Sequence, residues 1–128
     1  YLKEKNPNVK VFGVQPGHNS LRDKDKNQPE EEITGVHPFE GVAENLIPST
    51  LDRKIYDEYI EVEALEAFEA AREVAANDGI LIGTSSGAAL YAAKKLAQRP
   101  ENAGKKIVAI FPDTGLRYLS TNLFATQE

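Results

Sequence analysis

A chain of 128 residues with 41% hydrophobic and 27% charged residues has the balance of one globular domain with a modest core. Its net charge of −5, with no Lys/Arg cluster set apart from acids, disfavours nucleic acid as a partner, and no apolar run approaches the roughly 20 residues of a membrane helix. The absence of Cys excludes a disulfide scaffold, a thiolate nucleophile and a Cys-based metal site, and the composition fits a cytoplasmic protein.

Tyr1-Leu2-Lys3-Glu4-Lys5 has the character of the last turns of a helix, with Lys near the end and Asn6-Pro7 as terminators. Together with the lack of any Met, this leads us to expect a piece of a longer protein. Residues 9–14 alternate and read as a strand closed by a Gln15-Pro16-Gly17 turn. Residues 18–35 are polar and aperiodic, an exposed loop or partly helical excursion whose charges form a solvated face. Residues 35–52 form a Gly- and Pro-marked connection, anchored by Leu46-Ile47-Pro48 and Leu51-Asp52. A short strand over 59–62 leads into a helix over 63–77, with Leu65, Phe68, Ala71 and Ala75 on one face and Gly79 at its end.

Ile80-Leu81-Ile82 reads as a short buried strand bounded by Gly79 and Gly83. An Ala-rich helix follows over 88–97, and Pro100 stops it. Residues 107–111 are fully apolar, as in a buried parallel strand. Strands alternating with helices predict an α/β domain with right-handed crossovers.

The chemistry concentrates at two turns. A strand running into a helix start gathers backbone N–H groups and hydroxyls at the sheet edge where α/β proteins bind ligands. Gly83-Thr84-Ser85-Ser86-Gly87 there satisfies the G-x-S-x-G pattern of a nucleophile elbow. Asp113 could serve as the acid of a serine hydrolase, but His18 and His37 both precede Ser85, and the hydrolase order lacks its downstream base. Ser85 and Ser86 are therefore helix caps or ligand contacts. The two histidines stand at no metal-ligand spacing, and no phosphate-cradling glycine motif is present. The second turn, Pro112-Asp113-Thr114-Gly115, leaves the 107–111 segment. If that segment neighbours 80–82, the two turns line one pocket.

Gly83-Thr84-Ser85-Ser86-Gly87-Ala88 resembles the pyridine-nitrogen motif of the cysteine synthase and cystathionine β-synthase family, pyridoxal-phosphate enzymes of fold type II. Pro112-Asp113-Thr114-Gly115 with Arg117-Tyr118-Leu119-Ser120-Thr121 resembles that family's Pro-Asp-Ser/Thr-Gly-x-Arg-Tyr-Leu-Ser-Thr signature. Strand 9–14 with Gln15-Pro16, and Ile47-Pro48-x-x-Leu51-Asp52, fall in the family's order. The resemblance covers essentially the whole chain. It implies a three-layer, open, mostly parallel α/β sheet with flanking helices, as in the tryptophan synthase β fold. Residues 1–128 would be the C-terminal part of the large pyridoxal-phosphate-binding domain. The Schiff-base lysine, the substrate loop and the phosphate loop would all precede Tyr1.

The same resemblance implies that Ser85 partners the pyridine nitrogen of pyridoxal phosphate, with Ser86 a cap and Pro112 and Asp113 a wall behind the ring. A hydroxyl can donate to an unprotonated ring nitrogen, and the positive end of the following helix works against a pyridinium. A weaker electron sink of this kind suits α,β-elimination. Gly41-Val42-Ala43 would be the mobile stretch near the substrate. Here the chain departs from the family, with Ala43 in place of a second glycine and Leu116 in place of an acid before Arg117. The reaction implied is β-replacement on O-acetylserine or serine through an aminoacrylate, with sulfide giving L-cysteine or homocysteine giving cystathionine. The implied partners are the N-terminal portion of the enzyme, a second copy in a homodimer, and the C-terminal tail of serine acetyltransferase. A reading of another class is a non-catalytic α/β binding module.

Overall fold

Strand β1 (Phe12–Pro16) pairs in parallel with β2 (Glu58–Val62) in a computed structural model that describes residues 1–20, 38–42 and 44–125. The register sets Phe12 beside Glu58 and Pro16 beside Val62. β1 starts and ends later than expected and carries Gln15-Pro16 inside the strand rather than in a turn. Pro16 has no N–H to give, which is tolerated on an edge strand such as β1 of this two-stranded pair. The ladder resumes at once, with Gly17 N–H donating to the Val62 carbonyl at 2.9 Å.

The short helix α1 (Leu2–Lys5) ends at Asn6, whose N–H donates to the Leu2 carbonyl at 2.8 Å, just before Pro7. Lys3 reaches the Asp57 carboxylate at 2.7 and 2.8 Å, and the Val11 N–H donates to the same group at 2.8 Å. This joins the N-terminal segment to the approach to β2.

Helix α2 (Ala64–Asp78) begins where local chemistry directs it. Glu63 and Glu66 form a reciprocal capping box, with the Glu63 N–H donating to Glu66 Oε2 at 2.9 Å. Ser20 Oγ accepts the Ala64 N–H at 2.6 Å and so satisfies another donor of the first turn. Gly79 ends the helix at φ 68°, a left-handed conformation that favours glycine, and its N–H donates to the Ala75 carbonyl.

The buried face of α2 is Ala64, Ala67, Phe68, Ala70 and Ala71, while Leu65 is 50% exposed. The expectation that Leu65 faces the core is thus corrected. The reason lies in helix α3 (Thr84–Ala97), which approaches α2 through small residues. A Cβ on Gly87 would lie 2.2 Å from the Ala67 carbonyl oxygen, so the two helices meet backbone to backbone. One cluster gathers Ala64, Phe68, Ala71, Ile82 and Leu123, with Tyr118 and Phe124 against it. A second joins the sheet to the helices through Val62, Ala67 and Ala92, with Val14 and Ile60 against them.

Two expected strands do not pair as strands among the described residues. Residues 80–82 contribute only an isolated antiparallel bridge, Ile82 with Thr114. Residues 107–111 form no ladder and are not buried, with Val108 at 84% and Ile110 at 73% exposure. Their apolar composition suits a covered strand, but no described element of the chain lies over them. Among the described residues no helix is long and apolar enough to cross a membrane.

Candidate active site

The start of α3 is the chemical centre of the structure. Its N-cap position is Gly83, which has no side chain to satisfy the free amides of the first turn. The carboxylate of Asp113, arriving from the turn after 107–111, does so instead. Ser85 N–H donates to Asp113 Oδ2 at 3.1 Å, and Ser86 N–H donates to Oδ1 at 2.9 Å. Ser86 Oγ donates to Oδ1 and accepts the Asp113 N–H at 3.2 Å, while the Tyr118 hydroxyl donates to Oδ2 at 3.0 Å.

Backbone bonds lock the two turns on either side. Gly83 N–H donates to the Asp113 carbonyl at 3.2 Å, and Gly115 N–H donates to the Leu81 carbonyl at 3.1 Å. There is no room for a side chain at Gly83, since a Cβ would lie 2.4 Å from Asp113 Oδ2 and 2.6 Å from the Tyr118 ring. Tyr118 is placed by the 3₁₀ turn Gly115–Tyr118, which Thr114 caps by accepting the Leu116 N–H at 3.3 Å.

Burial works to raise the Asp113 carboxyl, but the hydrogen bonds from Ser86, Tyr118 and Ser85 outweigh it and hold the group below the usual carboxylate range. Tyr118 moves the other way, raised by burial and by its bond to the Asp113 carboxylate.

The two serines have different surroundings. Ser86 is 0% exposed and its hydroxyl is engaged with Asp113 on both sides. It is not itself the N-cap, which corrects its expected role: it is the third residue of α3 and holds the group that caps. Ser85 is half-buried, and its Oγ has no hydrogen-bond partner among the described residues. Pro112 is exposed beside Asp113. Ser85, Pro112 and Asp113 are therefore brought together.

Gly41 and Val42 belong to a separate segment, 38–42, anchored on β1, and Ala43 lies outside the described residues. Of the two histidines, His18 is exposed on the 3₁₀ turn His18–Ser20, and His37 also lies outside the described residues. No described imidazole bonds to Ser85, so the hydrolase arrangement is not formed among the described residues.

Three features went unnoticed in the sequence. Tyr118 bonds Asp113 from five residues away, and its place in the Arg117-Tyr118 signature was the available signal. Glu40 accepts from the Tyr56 hydroxyl and from Arg53 Nη2, the latter at 2.7 Å. The Tyr56 bond, with Arg53 adding to it, holds the Glu40 carboxyl low despite burial acting the other way. Gln15 binds two backbone amides of the 38–42 segment, and nothing local in the sequence announces that pairing.

Residues 1–113 match the model of the family described as pyridoxal-phosphate dependent enzyme. Cysteine synthase 3 of Caenorhabditis elegans is 35% identical over 125 residues, covering 98% of this chain and 35% of that protein. The O-acetylserine dependent cystathionine beta-synthase of Bacillus subtilis is 39% identical over 124 residues, covering 97% of this chain and 38% of that protein. Among solved structures, the cysteine synthase from Entamoeba histolytica superposes with a TM-score of 0.76 at 38% identity, over 99% of this chain and 36% of that one. The chain thus spans little more than a third of the length of these relatives.

Proposed function

The chain belongs to the pyridoxal-phosphate-dependent enzyme family, and on that premise we propose that it forms the C-terminal part of the cofactor-binding domain of a β-replacement enzyme acting on O-acetylserine. Sulfide is the nucleophile and L-cysteine the product. The observation that carries this reading is the division between the serines: Ser86 is engaged by Asp113, while the Ser85 hydroxyl remains available at the start of α3.

These residues fit the cofactor. A neutral hydroxyl can donate to a pyridine nitrogen, and the positive end of a 14-residue helix disfavours a protonated ring beside it. The Asp113 carboxylate, which would otherwise favour protonation, is directed into the helix amides and the Ser86 hydroxyl. Ser85 would hold the ring nitrogen, with Pro112 and Asp113 behind the ring. When bound, pyridoxal phosphate supplies the electron sink that lets a leaving group depart from the substrate's β-carbon. Gly41 and Val42 would lie beside the amino-acid substrate.

The remaining portion of the same enzyme is the proposed partner. Support comes from the exposed apolar residues of 107–111 and from the coverage of little more than a third of each relative. A second copy in a homodimer and a docked serine acetyltransferase tail extend the same reading. The 39% identity to an O-acetylserine dependent cystathionine beta-synthase supports homocysteine as the alternative nucleophile.

The test is to supply the intact enzyme with O-acetylserine and either sulfide or homocysteine, and to measure both products by mass. Cysteine from the sulfide reaction is the expected result. Cystathionine alone would replace it with the second reading, and neither product from cofactor-loaded enzyme would overturn both.

A further inference from the structure

We infer that Gln15 is a positioning residue that mounts the substrate-proximal segment 38–42 on the end of β1, an inference that rests on the role proposed above for Gly41 and Val42. Gln15 is a polar side chain only 5% exposed. Its Oε1 accepts the N–H of Phe39 at 3.0 Å and the N–H of Glu40 at 2.9 Å. Its Nε2 donates to Glu61 Oε1 at 3.2 Å, across the strand pair in which Gln15 lies beside Glu61. The two faces of this site ask for opposite chemistry, acceptance from two amides on one side and donation to a carboxylate on the other. A primary amide supplies both.

The mount has a second point of support. The Phe39 ring fills the space over Gly13, where a Cβ would lie 2.5 Å from Phe39 Cζ. The ring also stands edge-on to Tyr56 and Tyr59, at centroid distances of 5.2 and 6.1 Å. Glu40 is held by Tyr56 and Arg53. Residues 39 and 40 are thus fixed through backbone and side chains alike. The next residue, Gly41, has φ 76° and open space around its missing Cβ. Gln15 therefore sets the position from which the chain enters Gly41 and Val42.

The experiment compares Gln15→Leu, Gln15→Glu and the exchanged pair Gln15→Glu/Glu61→Gln in the intact enzyme. It reads amide hydrogen exchange at Phe39 and Glu40 beside KM and kcat for O-acetylserine. In Gln15→Leu, loss of the acceptor is expected to speed exchange at these two amides about tenfold and to raise KM by a similar factor, with kcat changing less. Ladder amides of β1 and β2 keep their protection. Gln15→Glu places two carboxylates side by side, and the exchanged pair restores both exchange and KM toward the parent.

Unchanged exchange at Phe39 and Glu40 in Gln15→Leu would overturn the mount while leaving the enzyme reading intact. Faster exchange with unaltered kinetics would overturn the substrate role. If Gln15→Leu also loses its ladder protection, the exchanged pair decides, with parent-like amides supporting the mount and unprotected ones ending it. A parent enzyme that holds no cofactor and makes no product would overturn the functional reading, and the substrate role with it, whatever the amides report.

Discussion

Asp113 meets Ser86 across the first turn of α3, accepting its N–H at 2.9 Å and its hydroxyl at the same carboxylate oxygen. A residue 27 positions away thereby does what a local N-cap side chain does in most helices. The contact joins the turn after 107–111 to the turn after 80–82. The Ser85 hydroxyl has no partner among the described residues, so the capping contact and the candidate cofactor contact fall to different serines.

Removing that carboxylate should weaken the fold. Asp113→Ala takes away an acceptor of two amides and two hydroxyls, for an expected loss of roughly 2 kcal/mol in urea denaturation of the intact protein. Asp113→Asn keeps the shape and should lose less.

The same group gives stability a pH dependence. Its folded pKa is lowered, so the unfolded chain binds the proton more readily. The contribution is complete above the ordinary carboxylate value near pH 4, and is lost as pH falls through the lower folded value. Acid denaturation of Asp113→Asn should lack this component. A curve that keeps the parent's acid slope would show that Asp113 does not supply it.

Tyr118→Phe removes one hydroxyl from the Asp113 carboxylate and nothing else of its shape. The carboxyl should titrate at higher pH, followed by NMR of its side-chain carbon, with a stability loss of about 1 kcal/mol.

The α2–α3 contact separates two substitutions of opposite expectation. Gly87→Ala forces a methyl against the Ala67 carbonyl and should cost about 2 kcal/mol. Leu65→Ala removes a larger side chain from an exposed position and should stay within about 0.5 kcal/mol. Chemical denaturation of the two variants side by side checks both.

What was legible in the sequence was what is local. Gly79 announces the end of α2 by a rule that acts within a few residues, and the strand before the helix follows the same logic. The face of α2 was misread because size suggested Leu65, whereas close helix approach selects Ala67 and Ala71 opposite Gly87. The segments 80–82 and 107–111 show why composition alone does not make a strand: pairing needs a neighbour, and none of the described residues supplies a ladder. At the site, the two motifs were visible and their convergence was conditional on neighbouring strands. It comes from the Ile82–Thr114 bridge with its flanking backbone bonds, and from Asp113 reaching the α3 amides. Gln15 and its amide partners stand 24 and 25 residues apart, beyond any local pattern.

The most direct measurement is the visible absorption spectrum of the cofactor-loaded intact enzyme, titrated with O-acetylserine, in Ser85→Ala beside Ser86→Ala. Ser85→Ala is expected to alter the cofactor band and its response to substrate. Ser86→Ala is expected to keep both while lowering the melting temperature, because its hydroxyl holds Asp113. A Ser85→Ala spectrum and titration identical to the parent would contradict the assignment of Ser85 to the ring nitrogen.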